Sequence, residues 1–265
     1  MPHGEEGHWK EIRSIANSAF KLSSLRAMHS IFTRHSISFA QKLLDLANRN
    51  GSTEFADEIS KLTLDIISSA GFGFSLGASF NMGLQSPLLQ AINHILLQGR
   101  NPLLLLNGVW LIKFMVRNQM DVLDQTFYGI IDERIKEQQE GKKNSGRTQD
   151  LLDMLLQPGE DGRQLTREEI RDELFLFYFA GHETTANALS WTIYELSRNP
   201  DVAERLVQEI ESVMGPHKGG DPQAPTVAQL DEMPYMTMVL NEVLRCVCCE
   251  NNFPATGVGR HSQDL

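Results

Sequence analysis

The segment Ala180-Gly181-His182-Glu183-Thr184-Thr185 gathers a glycine, a carboxylate and two hydroxyls at the end of the apolar run LFLFYFA, residues 174–180. A glycine inside a buried helix costs about 1 kcal/mol relative to alanine, and it removes the side chain that would keep another group away from the backbone. A carboxylate one turn from an apolar centre is costly unless it is paired, wetted or used. Thr184 is spaced to bond the carbonyl four residues back, which loosens the helix and leaves a carbonyl able to hold water. The set reads as a small polar notch suited to delivering protons to a group at the helix surface, or else as tolerated substitutions on a partly exposed face. It is not a zinc-protease motif, since H-E-x-x-H needs a second histidine where Ala186 stands.

A second pair, Glu242 and Arg245, has the spacing of three that puts a carboxylate and a guanidinium on one helix face. Such pairs usually sit on surfaces and contribute little; with Val239, Leu240 and Val243 as neighbours, partial burial is the other reading, and a buried pair of this kind is held for geometry more than for energy. The three cysteines all fall in Cys246-Val247-Cys248-Cys249. Adjacent cysteines cannot staple distant segments, and the single histidines His217 and His261 do not complete a zinc site, so no metal ligand is assigned and a reducing compartment is expected. Gly73-Phe74-Ser75-Leu76-Gly77 matches the G-x-S-x-G elbow of hydrolases. That motif works on a strand-to-helix turn, whereas residues 55–70 read as an amphipathic helix ending at glycine.

The elements that position these groups are helical almost throughout, with no β-branched alternating run. Thr166 and Glu169 form a capping box that opens a helix running to Asn199-Pro200, on the order of 50 Å long. Its middle, residues 174–180, is apolar on every side, so this helix is expected to be buried and to cross the centre of the protein. Asn199 is expected to cap a second helix that has Pro200 in its first position and continues to about Met214, and Asp231 a third with Pro234 in its first turn. Loops are expected near residues 141–149 and 215–227.

Composition bounds the reading. The chain has 265 residues, 41% apolar and 22% charged, as an ordinary globular domain does. Its net charge of −10 argues against nucleic acid as a partner. The charge is uneven: residues 10–49 hold seven Lys/Arg against Glu11 and Asp45, a surface that is either solvated or a docking face. The N-terminus carries no signal core. The most apolar stretch, from Pro102 to Met115, is broken by Asn107, Gly108 and Lys113, so no spanning segment is expected. It reads as core, or as a segment that dips into a membrane surface.

Together these residues resemble the cytochrome P450 family of haem-thiolate monooxygenases. Residues 180–185 are similar to the family's signature in the long helix over the haem, and Glu242/Arg245 to its E-x-x-R pair. Trp9 and Arg13, followed by Asn17-Ser18-Ala19-Phe20, are similar to the helix that holds haem propionates. The resemblance covers residues 8–245 and implies a mainly α, partial cytochrome P450 fold. It implies a long central helix crossing the haem site and little or no sheet, with residues 1–265 forming the central portion of a catalytic domain. By the same resemblance, Ala180 and Gly181 would leave room above the iron for dioxygen and substrate. Glu183 and Thr184 would relay protons. Trp9 and Arg13 would hold the propionates of the haem (iron protoporphyrin IX), and Glu242 and Arg245 would brace its proximal side. The partners implied are O2, an apolar small-molecule substrate and an electron-donating reductase facing the basic segment Lys10–Lys42.

The chain also departs from the family. No F-x-x-G-x-x-x-C-x-G loop supplies an axial thiolate, none of Cys246, Cys248 or Cys249 has the required context, and CVCCENN (residues 246–252) interrupts the stretch after Arg245. The expectation is therefore of a truncated or mis-spliced member, or an incomplete gene model. Any bound haem would not be thiolate-ligated and the chain as written would be inactive; the alternative is a non-catalytic helical module that binds haem or a partner. A full-length eukaryotic relative would sit at the endoplasmic reticulum membrane, and this chain, with no anchor, would be cytoplasmic or peripheral.

Overall fold

The computed structural model describes residues 12–13, 21–49, 51–75, 88, 90–92, 94–95, 115–140, 149–158, 162–215 and 222–249, the last three as backbone. Every regular element among the described residues is a helix: α1 (Leu22–Ala27), α2 (His29–Asn48), α3 (Phe55–Gly71), α4 (Arg117–Gln139), α5 (Leu151–Leu155), α6 (Arg167–Arg198), α7 (Pro200–Met214), α8 (Val227–Asp231) and α9 (Pro234–Cys249). The chain divides into two compact units, Met1–Ala186 with Asp221–Ala224, and Asn187–Gly220 with Pro225–Leu265.

In the first unit α3 is the pivot. Asp57 and Glu58 occupy its first turn, where carboxylates favour the positive end of the helix dipole. Ile59, Leu62 and Leu64 face the core. It ends at Gly71, with Gly73 in the left-handed region at φ 69° and Phe74 N–H returning to the Ser68 carbonyl at 3.1 Å. This is a helix end rather than a nucleophile elbow. The Phe72 carbonyl left over at that end accepts from Arg134 Nη2 of α4 at 3.0 Å. Arg134 Nη1 also reaches both oxygens of Asp150 at 3.0 Å and Asp153 Oδ1 at 2.6 Å, the two carboxylates that form the capping box of α5. One buried guanidinium thus ties the end of α3, the flank of α4 and the start of α5. Burial would weaken its charge, and the two aspartates outweigh that and strengthen it.

The Thr166 capping box opens α6 as its spacing predicts, with Thr166 N–H on Glu169 Oε2 at 2.7 Å and Glu169 N–H on Thr166 Oγ1 at 3.2 Å. The middle of α6 is not buried all round. Leu174, Tyr178, His182 and Ala186 form a row of fourfold spacing that is buried, while Leu176, Ala180 and Thr184 form a row on the opposite side that is exposed, Leu176 by 56%. The two rows are two residues, about 200°, apart. Apolar composition does not say which row is covered, and α3 and its neighbours cover one.

In the second unit two cap expectations are corrected. Pro200 does open α7, which ends at Met214, but Asn199 gives its neighbour no side-chain cap; its Nδ2 turns back to the Glu195 carbonyl at 2.8 Å and closes α6. Asp231 is the last residue of α8, a short helix opened by its own Thr226/Gln229 capping box, and does not cap α9. The first free amides of α9, on Tyr235 and Met236, are taken by Glu209 of α7 at 2.7 and 2.8 Å. Val239 and Val243 are the buried face of α9.

Candidate functional site

The notch residues share two turns of α6. Thr184 Oγ1 donates to the Ala180 carbonyl at 2.7 Å, as the spacing predicts, and both residues lie on the exposed row. Glu183 is half-buried beside them. A hydroxyl that spends its proton on its own helix holds that carbonyl away from a straight amide bond. It is also poised to exchange this acceptor for one outside the helix.

Gly181 has a cause the sequence does not display. A Cβ built on it would lie 3.1 Å from Ile67 Cδ1 and 3.3 Å from Ile67 Cγ1, tighter than ordinary van der Waals contact. The missing side chain therefore lets α3 approach α6 closely, and the open room on the outer side falls at Ala180. Behind the notch, Thr63 Oγ1 donates to the His182 carbonyl at 3.1 Å, and Ser68 Oγ lies 3.5 Å from the Tyr178 hydroxyl. The Tyr178 and His182 rings stand 6.3 Å apart in the same seam. Burial pushes the Tyr178 phenol up and the His182 imidazole down, so both stay neutral near pH 7. The two rings behind the notch are therefore neutral, with the buried Asp65 carboxylate of α3 close enough to help raise the phenol. None of Thr63, Ile67 or Ser68 is singled out by the sequence; the available signal is that polar residues, Thr63, Ser68 and Ser69 among them, recur on the buried side of α3.

Of the other predicted site residues, Arg13 is exposed and Trp9 lies outside the described residues. Glu242 and Arg245, in the second unit, are paired as expected, with Arg245 Nε on Glu242 Oε2 at 2.8 Å. Both are exposed rather than partly buried, because Val239 and Val243 turn the other side of α9 inward. The hydrogen bond from Arg245 holds the Glu242 carboxyl below its usual range. Cys246 Sγ sits 3.7 Å from Glu242 Oε1, and partial desolvation together with that carboxylate pushes its thiol up. Among the described residues no group of three or more His, Cys, Asp or Glu side chains is placed to hold a metal ion, and no helix is long and apolar enough to cross a membrane. Of the basic segment, Lys21, Arg26, Arg34 and Arg49 are exposed, whereas Lys42 pairs with the buried Glu58, which Lys61 also holds at 2.9 Å.

Among the described residues, the exposed row of α6 fits one face of a flat, largely apolar group. The exposed row offers Leu176, the small Ala180 and the Thr184 hydroxyl in sequence along one face.

Comparisons with known proteins agree with the motifs. The family model described as Cytochrome P450 matches residues 3–249. The chain is 30% identical over 256 residues to cytochrome P450 4d8 of Drosophila melanogaster, covering 89% of this chain and 54% of that protein. It is 30% identical over 244 residues to a bifunctional cytochrome P450/NADPH–P450 reductase of Bacillus cereus, covering 91% and 22% respectively. To 11-oxo-beta-amyrin 30-oxidase of Medicago truncatula it is 30% identical over 250 residues, covering 89% and 45%. The chain thus spans about half the length, or less, of these curated relatives.

Proposed function

Because the chain belongs to the cytochrome P450 family, we propose that its protein is a haem-dependent monooxygenase that places one oxygen atom from O2 into an apolar organic substrate with electrons from a reductase. The observation that carries this reading is the bond from the Thr184 hydroxyl to the Ala180 carbonyl on the open face of α6, next to Glu183. Haem, when bound, supplies the iron at which dioxygen is held and reduced. The chain's own residues do the rest. Ala180 keeps the face clear, and Leu176 one turn earlier offers an apolar wall to the substrate. Thr184, turning its Oγ–H outward, becomes a donor at that face and leaves the Ala180 carbonyl to a water. The Glu183 carboxyl then returns a proton to the hydroxyl through that water. Arg13 and Trp9 hold the propionates, and Glu242 with Arg245 is a structural pair.

The exposed cations at the start of α1 and along α1 and α2, Lys21, Arg26 and Arg34, serve as the docking face for the acidic donor. Residues 102–115 lie, apart from Met115, outside the described residues, and we assign them a peripheral membrane contact like that of a full-length relative at the endoplasmic reticulum. Flotation of the chain with phospholipid vesicles tests this, and absence of the chain from the lipid fraction would reject it.

In haem-loaded protein, Thr184→Ala and Glu183→Gln should each lower coupled oxygen insertion by about 100-fold while haem content stays the same. Wild-type coupling in both variants would overturn the assignment. The chain of residues 1–265 alone should bind haem without a thiolate-type Soret band in its reduced carbon-monoxide spectrum. A thiolate band would show that the ligand lies within it. A second reading, a non-catalytic helical module, is favoured by the 56% exposure of Leu176. That reading requires haem or partner binding that the two substitutions leave unchanged, with no turnover in the wild type.

A further inference from the structure

Thr63 is a buried threonine in the middle of α3, and its hydroxyl has two carbonyls at the same distance. One is Ser60 of its own helix at 3.1 Å, the acceptor any helical threonine has; the other is His182 of α6, also at 3.1 Å. A carbonyl can only accept, so the proton in the second contact belongs to Thr63. The residue it grips stands between Gly181 and Glu183. His182 cannot rotate away, since its side chain is 1% exposed and packs against Tyr178, and Ile67 fills the space beside Gly181.

Two carbonyls two residues apart are therefore held by hydroxyls from opposite sides. Ala180 O is taken on the open face by Thr184, and His182 O on the buried face by Thr63. The peptide unit of His182 and Glu183 is fixed between them. Pulling its carbonyl toward α3 tilts the plane from which Glu183 and then Thr184 project.

We propose that Thr63 is a positioning residue for the Glu183–Thr184 pair: by holding the His182 carbonyl it sets the rotamer of Thr184 and hence whether that hydroxyl closes on Ala180 or opens outward. The consequence for proton delivery rests on the monooxygenase reading; the geometry does not. Thr63 touches neither substrate nor cofactor and acts only through α6.

The test uses the isotopically labelled chain without haem, read at the His182 carbonyl carbon and at the Thr184 χ1 couplings. Thr63→Val keeps the shape and removes the donor; Thr63→Ser keeps the donor. Val should shift the His182 carbonyl resonance upfield and change the Thr184 rotamer ratio about fivefold, the equivalent of about 1 kcal/mol for one net hydrogen bond. Ser should leave both as in wild type. Thr63→Cys, a weak donor of similar size, should behave as Val and serves if Val does not fold. Unchanged Thr184 couplings in Val or Cys, or an equal change in Ser, would overturn the proposal. In haem-loaded protein, Val should release more peroxide per electron pair than Ser at equal haem content, and equal release by the two would also overturn it. A wild type that binds haem yet never turns over would reject the monooxygenase reading, while the haem-free couplings still decide the role of Thr63.

Discussion

Gly181 and Arg134 show how much one position can depend on distant ones. Alanine at 181 gains about 1 kcal/mol of helix propensity, yet its Cβ would crowd Ile67, a cost of about 1–3 kcal/mol where packing cannot give. Gly181→Ala is therefore expected to be neutral to destabilising in urea unfolding. Ile67→Val, which removes the nearest atom, Cδ1, should make Gly181→Ala favourable, and a double-mutant cycle with no coupling would contradict the contact. Arg134→Met leaves Asp150 and Asp153 buried side by side without their cation, so a loss of about 3–5 kcal/mol is expected from the urea midpoint. The outer half of the notch was legible because the bond from Thr184 to Ala180 is a local, four-residue relation. The inner half was not, since Thr63 and His182 are 119 residues apart and nothing in either neighbourhood names the other.

Helices were legible as periods, and their ends only where the cap is local. The Thr166 box could be read in four consecutive residues, and it forms. The start of α9 could not, because its amides are satisfied by Glu209 from another helix, while Asp231, the residue of the right type nearby, closes α8 instead. Glu209→Ala should cost about 1–2 kcal/mol in stability, as loss of a cap and of a carboxylate at a helix N-terminus does. Asp231→Ala should change the urea midpoint little, and the reverse order would restore the sequence-based assignment. The apolar centre of α6 carries the same lesson. Seven greasy residues in a row fix neither face; which of the rows beginning at Leu174 and Leu176 is covered depends on the partner helix.

At the scale of the molecule, buried imidazoles make stability depend on pH. His35, whose Nε2 lies 3.1 Å from Ser69 Oγ, is pushed below the ordinary histidine value by burial, against the pull of Asp65 and with the push of Arg34; His182 is lowered by burial. The unfolded chain takes up protons from about pH 6.5 downward that the folded chain refuses, so stability falls as pH falls through that value. Glu58 adds a loss further into acid: burial works to raise its carboxyl, but hydrogen bonds from Lys42 and Lys61 outweigh that and hold it low. The urea midpoint should drop from pH 7.5 to pH 5.5, and less steeply in His182→Gln; equal slopes would contradict the burial of a neutral imidazole. The tertiary cap of α9 also bears on the order in which the chain is made. Glu209 precedes Tyr235 by 26 residues. At synthesis rates of about 5–20 residues per second, the carboxylate of α7 waits ~1–5 s for the amides it will hold. During that interval α7 can form on its own signals, Pro200 among them, whereas α9 acquires its beginning only when it meets a helix that is already there.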